Sequence, residues 1–439
     1  MMRLANILLA CAAGLGAAVA APAQTQAVKM SLEDCRNMAV KQSEDLKTAD
    51  NKVMQSQLDR GVARTSCLPK LDGTAMSVYQ TPSTDMMGMK MVMHGMYMAG
   101  FTLTQPVYTG GKITAGNALA EIGVSSAQEQ QRQMRMNVIA DASNAYWNYI
   151  AVGRKIRMLE TYERQLDTVY QQTHVAVKAG MATENDFMRI NAKRSDIKYQ
   201  LQRAKNGADL CRMQLCNLTG LAADAAVEPS DTAISVTPPS GLTTDISQRP
   251  EMHLLQQQID ARRLQIKTAR ADYLPTVALM AGYTFYGNIK TEGTTQDASG
   301  NAVKFSQNMH NDGLSVMATV KVPIFSWGEG AKKVKKARLD LDNAQLSLQK
   351  NTRLLNIGAR QAVLNLEDGY RMVQSATVGL HQAEESLRSM QNRYDAHLNP
   401  LTDLLDAQSQ WQQSQSNLIE AQTQYKIYET EYLHAVGRL

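Results

Sequence analysis

Residues 314–323 read Leu-Ser-Val-Met-Ala-Thr-Val-Lys-Val-Pro, an alternation of apolar with small or polar side chains that ends at a proline. Residues 97–106 read Tyr-Met-Ala-Gly-Phe-Thr-Leu-Thr-Gln-Pro and show the same alternation, at a residue-number offset of 217 (314 − 97 = 217). A period of two residues indicates a β-strand with one apolar and one polar face. Strands of about ten residues can cross a bilayer when tilted, with lipid on the apolar face and water on the other.

The same offset recurs at residues that commonly end strands or delimit helices. The pairs are Pro106 and Pro323 (323 − 106 = 217), Asp186 and Asp403 (403 − 186 = 217), and Gly220 and Gly437 (437 − 220 = 217). We therefore predict a duplicated structural unit, with a first repeat at 24–220, a linker at 221–248 and a second repeat at 249–439.

Each repeat is predicted to contain one helix, two strands and two very long helices, because the long helical runs lack proline. The first repeat has a predicted helix at 31–66, strands at about 70–81 and 96–107, and helices at about 113–179 and 183–218. The second has a predicted helix at 250–275, strands at about 275–287 and 313–324, and helices at about 329–396 and 400–436. A helix over 113–179 would be about 100 Å long at about 1.5 Å per residue, more than the diameter of a compact domain.

The shorter of the two long helices in each repeat carries an apolar seam whose steps alternate between three and four residues. In the first repeat the seam consists of Phe187, Ile190, Arg194, Ile197, Leu201, Ala204, Ala208, Cys211, Leu215 and Leu218, and the second repeat keeps it at the same offset. This heptad spacing is typical of coiled-coil packing. The fold is therefore predicted to be mainly α-helical with a small β part.

Four strands cannot close a barrel in a membrane, and an open sheet edge in lipid would leave backbone groups without partners. The barrel must therefore be shared between chains. A dimer would supply eight strands, which side chains fill, and a trimer twelve, which leave room for a pore. If the molecule conducts, three chains are the better prediction.

Residues 1–23 have the features of an export signal: Arg3, an apolar run from Leu4 to Val19, and small residues at the predicted cleavage sites. An alternative is lipidation at Cys11, within Leu-Leu-Ala-Cys. No later stretch is apolar enough for a membrane-spanning helix. The exported chain has four cysteines, Cys35, Cys67, Cys211 and Cys216. Cys211 and Cys216, five residues apart on one predicted helix, are too far apart for a disulfide and are interpreted as small core residues.

Enzymatic and nucleic-acid-binding functions are not indicated. The formal net charge is +5, without a basic stripe interleaved with aromatic residues. The sequence lacks the G-x-S-x-G, H-E-x-x-H, P-loop and dinucleotide-binding motifs, and its seven histidines are scattered. We therefore predict no catalytic residue, cofactor or metal site.

A methionine cluster in the first strand hairpin has two interpretations. Its members are Met86, Met87, Met89, Met91, Met93, Met96 and Met98, with His94 among them. Thioether sulfur is a soft ligand suited to Cu(I) or Ag(I). The alternative, flexible apolar filler in a loop tip, is favoured because strands and loop tips need apolar filler and no second methionine cluster is expected along the predicted pore.

Several segments of the second repeat, taken in this order and together with the duplication, resemble the TolC-like outer-membrane efflux proteins. The segments are Arg249-Pro250-Glu251, Ala271-Asp272-Tyr273-Leu274-Pro275, residues 319–328 (TVKVPIFSWG) and residues 402–408 (TDLLDAQ). The resemblance covers essentially the whole exported chain.

The resemblance implies a homotrimer with a twelve-strand β-barrel in the outer membrane and a coiled-coil α-barrel of twelve helices extending through the periplasm. Such proteins are the exit ducts of tripartite efflux pumps, which export small toxic compounds, and of type I secretion systems. Their expected partners are outer-membrane lipid, a periplasmic adaptor, and an inner-membrane RND or ABC transporter.

The resemblance also implies where the pore narrows, at the reversals of the long helices around residues 180–186 and 397–406. Asp403 and Asp406, which share one helix face, match acids that line the periplasmic constriction. Asp186 and Tyr394 match residues that link neighbouring helices at the gate. The arginine of the family at this gate is replaced by Asn399 here. Spacing alone leaves a second role open for Asp403, as an acid favoured by the helix dipole in a first turn.

Two other classes remain as alternatives at this stage. A periplasmic adaptor, or a purely structural coiled coil of the envelope, would also be helical. Neither accounts for four alternating strands or for the duplication.

Overall fold

The computed structural model describes residues 28–86, 89–231, 233–296 and 298–439. The predicted export signal at 1–23, including Cys11, and Met87 lie outside these residues. The chain divides into two compact units. Unit 1 comprises residues up to Gln42, Ala142–Ser235 and Ala376–Thr423, and unit 2 comprises Ser43–Asp141, Val236–Ser375 and Gln424–Leu439.

The described helices are α1 (Leu32–Gln42), α2 (Glu44–Thr65), α3 (Lys112–Lys178), α4 (Glu184–Thr219), α5 (Pro250–Ala271), α6 (Glu329–Asp395) and α7 (Leu401–Ala435). The described strands are β1 (Val28–Met30), β2 (Lys70–Tyr79), β3 (Thr84–Met86), β4 (Met89–Val92), β5 (His94–Thr109), β6 (Val227–Pro229), β7 (Thr276–Gln296) and β8 (Ala302–Lys321). None of the helices in this part of the chain has an apolar stretch long enough to cross a membrane.

The backbone repeats itself with the offset seen in the sequence. Helices α3 and α6 have 67 residues each and start at that offset (329 − 112 = 217), as do α4 and α7 (401 − 184 = 217). Residues in the left-handed region recur in the same way: Gly110 and Trp327, Gly111 and Gly328, Gly180 and His397, and Gly220 and Gly437. Before the strand hairpins the offset is smaller, as between α2 and α5 (250 − 44 = 206). The second hairpin is therefore longer than the first by the difference between the two offsets (217 − 206 = 11).

Unit 2 contains an antiparallel sheet. Strand β7 is hydrogen-bonded along one edge to β8, and along the other to β5 and then to β4. Strand β2 pairs with β5, so β2 and β8 lie at opposite edges of the main sheet. The strand order β2-β5-β7-β8 is that of two hairpins placed side by side.

The cross-strand register assigns side chains to two faces of this sheet. One face carries mostly apolar residues, among them Leu71, Leu103, Ala281, Val316, Phe101, Tyr283 and Leu314. The other carries mostly small or polar residues, among them Asp72, Thr102, Gly282, Ser315, Thr74, Gly100, Thr284 and Gly313. The apolar side chains of the first face, such as Phe101 and Leu314, are highly exposed in the single chain, as expected for a surface that meets lipid.

Several predicted bounds are corrected by the structure. The first helix, predicted at 31–66, is interrupted at Ser43, whose hydroxyl accepts a hydrogen bond from the Leu46 N–H at 3.2 Å and starts a new helix. The predicted linker 221–248 contains β6, which pairs in parallel with β1.

The second hairpin is longer than predicted, since β7 continues to Gln296 and β8 begins at Ala302. Beyond Asn288 the backbones remain paired, and Ile289, Val303, Phe305 and Met309 share one face while the other face is mostly polar. Strand β8 ends at Lys321, where it pairs with Thr276 at the start of β7, and not at residue 324.

The core of unit 1 lies between α3, α4 and α7. It includes Leu159, Tyr162, Leu166, Ile190, Ile197 and Leu404, each at most 1% exposed. Burial raises the pKa of Tyr162 to about 12, so its phenol stays protonated at neutral pH. Ile190, Ile197 and Leu404 occupy positions of the predicted heptad seam.

Candidate functional site

The connection from α3 to α4 is a tight reversal in unit 1. Gly180 adopts a left-handed conformation with φ 72°, and the Met181 N–H donates to the Ala176 carbonyl at 2.8 Å. This six-to-one hydrogen bond closes the end of α3 as a Schellman motif. A β-carbon at Gly180 would have no atom within 4 Å, so the backbone and not the available space favours glycine here.

The connection from α6 to α7 repeats this geometry. His397 is left-handed with φ 58°, and the Leu398 N–H donates to the Arg393 carbonyl at 2.8 Å. The chain then enters α7 after Pro400. In both reversals, therefore, a left-handed residue is followed by an N–H that donates to a carbonyl of the preceding helix.

The carboxylate of Asp186 is occupied by helix capping. It accepts hydrogen bonds from the Thr183 N–H at 3.2 Å and the Thr183 hydroxyl at 2.7 Å. The Thr183 hydroxyl oxygen accepts the Asp186 N–H in return, at 3.1 Å, which completes a capping box. The half-buried Asp186 therefore stabilises the start of α4 within one chain.

Asp403 and Asp406 are both exposed on the first turns of α7. The opposite face of the same turns is buried, with Leu401 4% and Leu404 0% exposed. Packing of these leucines into the core of unit 1 fixes the direction in which the two carboxylates point. The Asp403 carboxylate has one hydrogen bond, from the neighbouring Thr402 hydroxyl at 3.5 Å, so it is largely available to solvent or ions.

Tyr394 and Asn399 have partners other than Asp186. The hydroxyl oxygens of Tyr394 and the buried Thr173 lie 3.4 Å apart, which joins α6 to α3. The Asn399 side-chain amide donates to the sulfur of Met390 at 3.1 Å. Within one chain, therefore, the predicted gate residues Asp186 and Tyr394 are not joined to each other.

Sequence reasoning missed two features of this region. The pattern Thr183-Glu184-Asn185-Asp186 is a readable capping box that was not identified. The second is a link between α3 and α4, where the Arg194 guanidinium donates to Asp167 at 2.6 Å and covers the Tyr170 ring at 4.1 Å. Its members lie far apart in sequence and carry no local signal.

Comparison with known proteins identifies the class. The family model described as "Outer membrane efflux protein" matches residues 35–220 and 244–438, which are nearly the two repeats. The chain belongs to the outer membrane efflux protein family.

Individual relatives are distant but extensive. The chain is 24% identical over 391 residues to the outer membrane protein TolC of Escherichia coli K12, covering 86% of this chain and 76% of that protein. It is 20% identical over 339 residues to the alkaline protease secretion protein AprF of Pseudomonas aeruginosa, covering 75% and 67%. It is 25% identical over 289 residues to the cation efflux system protein CusC of E. coli K12, covering 62% and 54%.

Solved structures share the fold. A crystal structure of CusC has a TM-score of 0.77 at 15% identity, covering 94% of this chain and 93% of that one. The outer membrane channel CmeC of Campylobacter jejuni has a TM-score of 0.77 at 20% identity, covering 92% and 85%. The predicted class of fold, mainly α-helical with a small β part and internally duplicated, is thereby confirmed.

Family membership also confirms the predicted location. The protein is an outer membrane channel protein of the efflux and secretion class, and it extends into the periplasm. The alternatives of an adaptor and of a structural coiled coil are set aside, because both lack the membrane strands that this family uses.

Proposed function

We propose that three copies of the chain form the exit duct of a tripartite efflux pump that passes small toxic compounds to the exterior. The open sheet supports this assembly. Strands β2 and β8 run antiparallel, since three antiparallel pairings separate them. Strand β8 of one copy can therefore pair with β2 of the next, and three copies close a twelve-strand barrel wide enough for a pore.

The observation that carries the proposal is the exposed acidic face of α7. In a trimer, Asp403 and Asp406 form two rings of three carboxylates at the helix reversals. Rings of acidic side chains attract cations and keep a constriction hydrated. Asp186, Tyr394 and Asn399 lie at the same end, where contacts between copies narrow the entrance without closing it. The partners are a periplasmic adaptor and an RND or ABC transporter.

Export of proteins by a type I secretion system is the second candidate. It is favoured by the similarity to AprF, whose name describes alkaline protease secretion. A strain that lacks this chain separates the two functions. Increased sensitivity to small toxic compounds with normal protein secretion supports efflux, and the opposite phenotype supports secretion.

The test of the pore is single-channel conductance in planar bilayers, with Asp403→Asn/Asp406→Asn compared with the native protein. At about 8 Å in water one carboxylate attracts a monovalent cation by about 0.5 kcal/mol before screening. Loss of both rings is therefore expected to lower the cation preference several-fold at physiological ionic strength.

The control is Glu384→Gln/Glu385→Gln, which removes the same charge from exposed positions on α6. It is expected to leave the selectivity nearly unchanged, and both variants should form SDS-resistant oligomers. Unchanged selectivity in the aspartate variant would remove these residues from the pore. Absence of conductance from well-folded native oligomers would contradict the open-duct proposal.

A further inference from the structure

Three methionines lie together on the polar face of the strand sheet. Met76 on β2 is directly opposite Met98 on β5, and Val78 is opposite Met96. Residues directly opposite in an antiparallel pair have β-carbons about 5 Å apart, and residues two apart on one strand point the same way. Met76, Met96 and Met98 are therefore immediate neighbours on one face.

This is the face that turns away from lipid. The next two rows on it contain Thr74 and Gly100, then Asp72 and Thr102, while apolar side chains such as Phe101 occupy the other face. In the proposed barrel the three methionines thus face the water-filled lumen. Met76 is 47% exposed in the single chain, so its thioether is accessible.

Apolar filling does not account for these side chains. The lumen face of a large barrel is solvated and needs no packed interior, and towards the helices the next rows on it hold small or polar residues such as Thr74, Gly100, Asp72 and Thr102. Thioethers also recur further along it, where Met280 on β7 is directly opposite Met317 on β8, which is 54% exposed.

The chemistry of the group suits one type of ligand. Uncharged thioethers bind soft monovalent ions such as Cu(I) and Ag(I) and have little affinity for Mg²⁺ or Ca²⁺. Methionine has three rotatable side-chain bonds, so neighbouring sulfurs can converge on one ion. Tyr286 on β7 lies directly opposite Met98 on the same face, and its aromatic ring can further stabilise a cation.

We propose that Met76, Met96 and Met98 form a binding site for a soft monovalent metal ion, Cu(I) or Ag(I), in the wall of the barrel. Because the site faces the lumen, it would take its ion from the fluid that the channel carries. The assignment of the lumen side rests on the proposed function, whereas the grouping of the three thioethers rests on the strand register alone.

The test uses purified oligomers labelled with ¹³C-methyl methionine and titrated with silver nitrate in chloride-free buffer. Binding is followed by calorimetry and by the methionine methyl resonances. The variant Met76→Leu/Met96→Leu/Met98→Leu nearly conserves side-chain volume and is expected to fold. It should lower the affinity for Ag(I) by about tenfold or more, since it removes all three ligands.

A matched control removes three exposed methionines from helices and their connections, as Met54→Leu/Met181→Leu/Met188→Leu. It is expected to bind Ag(I) like the native protein, in which resonances of the strand methionines should shift first. Native affinity in the strand variant, or an equal loss in the control, would overturn the proposal.

Conductance without silver separates this inference from the proposed function. The strand variant should conduct like the native channel. A native protein that conducts but does not bind Ag(I) would overturn the metal site alone. Silver binding by a protein that does not conduct would support the site and contradict the duct.

Discussion

The two helix reversals of unit 1 have the same backbone and different chemistry. Gly180 and His397 occupy equivalent positions in the two repeats (397 − 180 = 217), and both are left-handed. Each is followed by an N–H that closes the preceding helix at 2.8 Å. The duplicated backbone has therefore been kept although a glycine stands in one copy and a histidine in the other.

The difference lies three residues further on, where Thr183 in the first reversal corresponds to Pro400 in the second (400 − 183 = 217). Thr183 offers an N–H and a hydroxyl, and Asp186 binds both. Pro400 has neither donor. The equivalent acid, Asp403, is left exposed. One duplicated acid thus stabilises a helix start, while the other is free for the role proposed at the pore.

The largest effect on stability is expected from substitutions at the left-handed residues of the two reversals. Gly180→Val should lower the free energy of unfolding by about 1–2 kcal/mol, because a branched side chain strains this conformation. His397→Gly should change it by less than about 0.5 kcal/mol, since relief of strain is offset by a more flexible unfolded chain. Denaturation followed by the helical circular dichroism signal measures both.

Gly153→Val is the control, because Gly153 is helical and a β-carbon there would also meet nothing within 4 Å. It should be nearly neutral. If Gly180→Val were as mild as Gly153→Val, the shared backbone geometry of the two reversals would not be the constraint described above.

An intermediate effect on stability is expected from substitutions of Asp186 and Asp403. Asp186→Ala should lower the free energy of unfolding by about 1 kcal/mol through loss of the capping box. Asp403→Ala should lower it by no more than about 0.5 kcal/mol, because only its interaction with the helix dipole is lost. The same denaturation experiment compares them, and equal losses would show that Asp403 also acts as a cap.

Local sequence patterns were sufficient to predict the long helices. The predicted helices at 113–179 and 329–396 lie within one residue of the observed α3 and α6. Seam positions such as Ile190, Ile197 and Leu404 are buried. These features depend on periodicity and on the absence of proline, which are properties of the nearby sequence.

Contacts between distant segments could not be predicted in this way. Tyr394 and Thr173 are far apart in the sequence, and no local pattern pairs them. The opposition of Met76 to Met98 required the register of β2 on β5.

The smallest effect is expected when the second reversal is given the chemistry of the first. Pro400→Thr supplies the missing N–H and hydroxyl, which Asp403 can then bind as Asp186 binds Thr183. Loss of proline also makes the unfolded chain more flexible, which lowers the free energy of unfolding by about 0.4–1 kcal/mol, so the net stability should hardly change.

The new contact therefore has to be measured as a coupling between the two substitutions. Asp403→Ala should lower stability by about 0.5–1 kcal/mol more in the Pro400→Thr background than alone. In the channel, Pro400→Thr should slightly weaken the cation preference, because a capped carboxylate is less available to ions. A coupling of zero with native selectivity would mean that the side chain at position 400 does not decide the role of this acid.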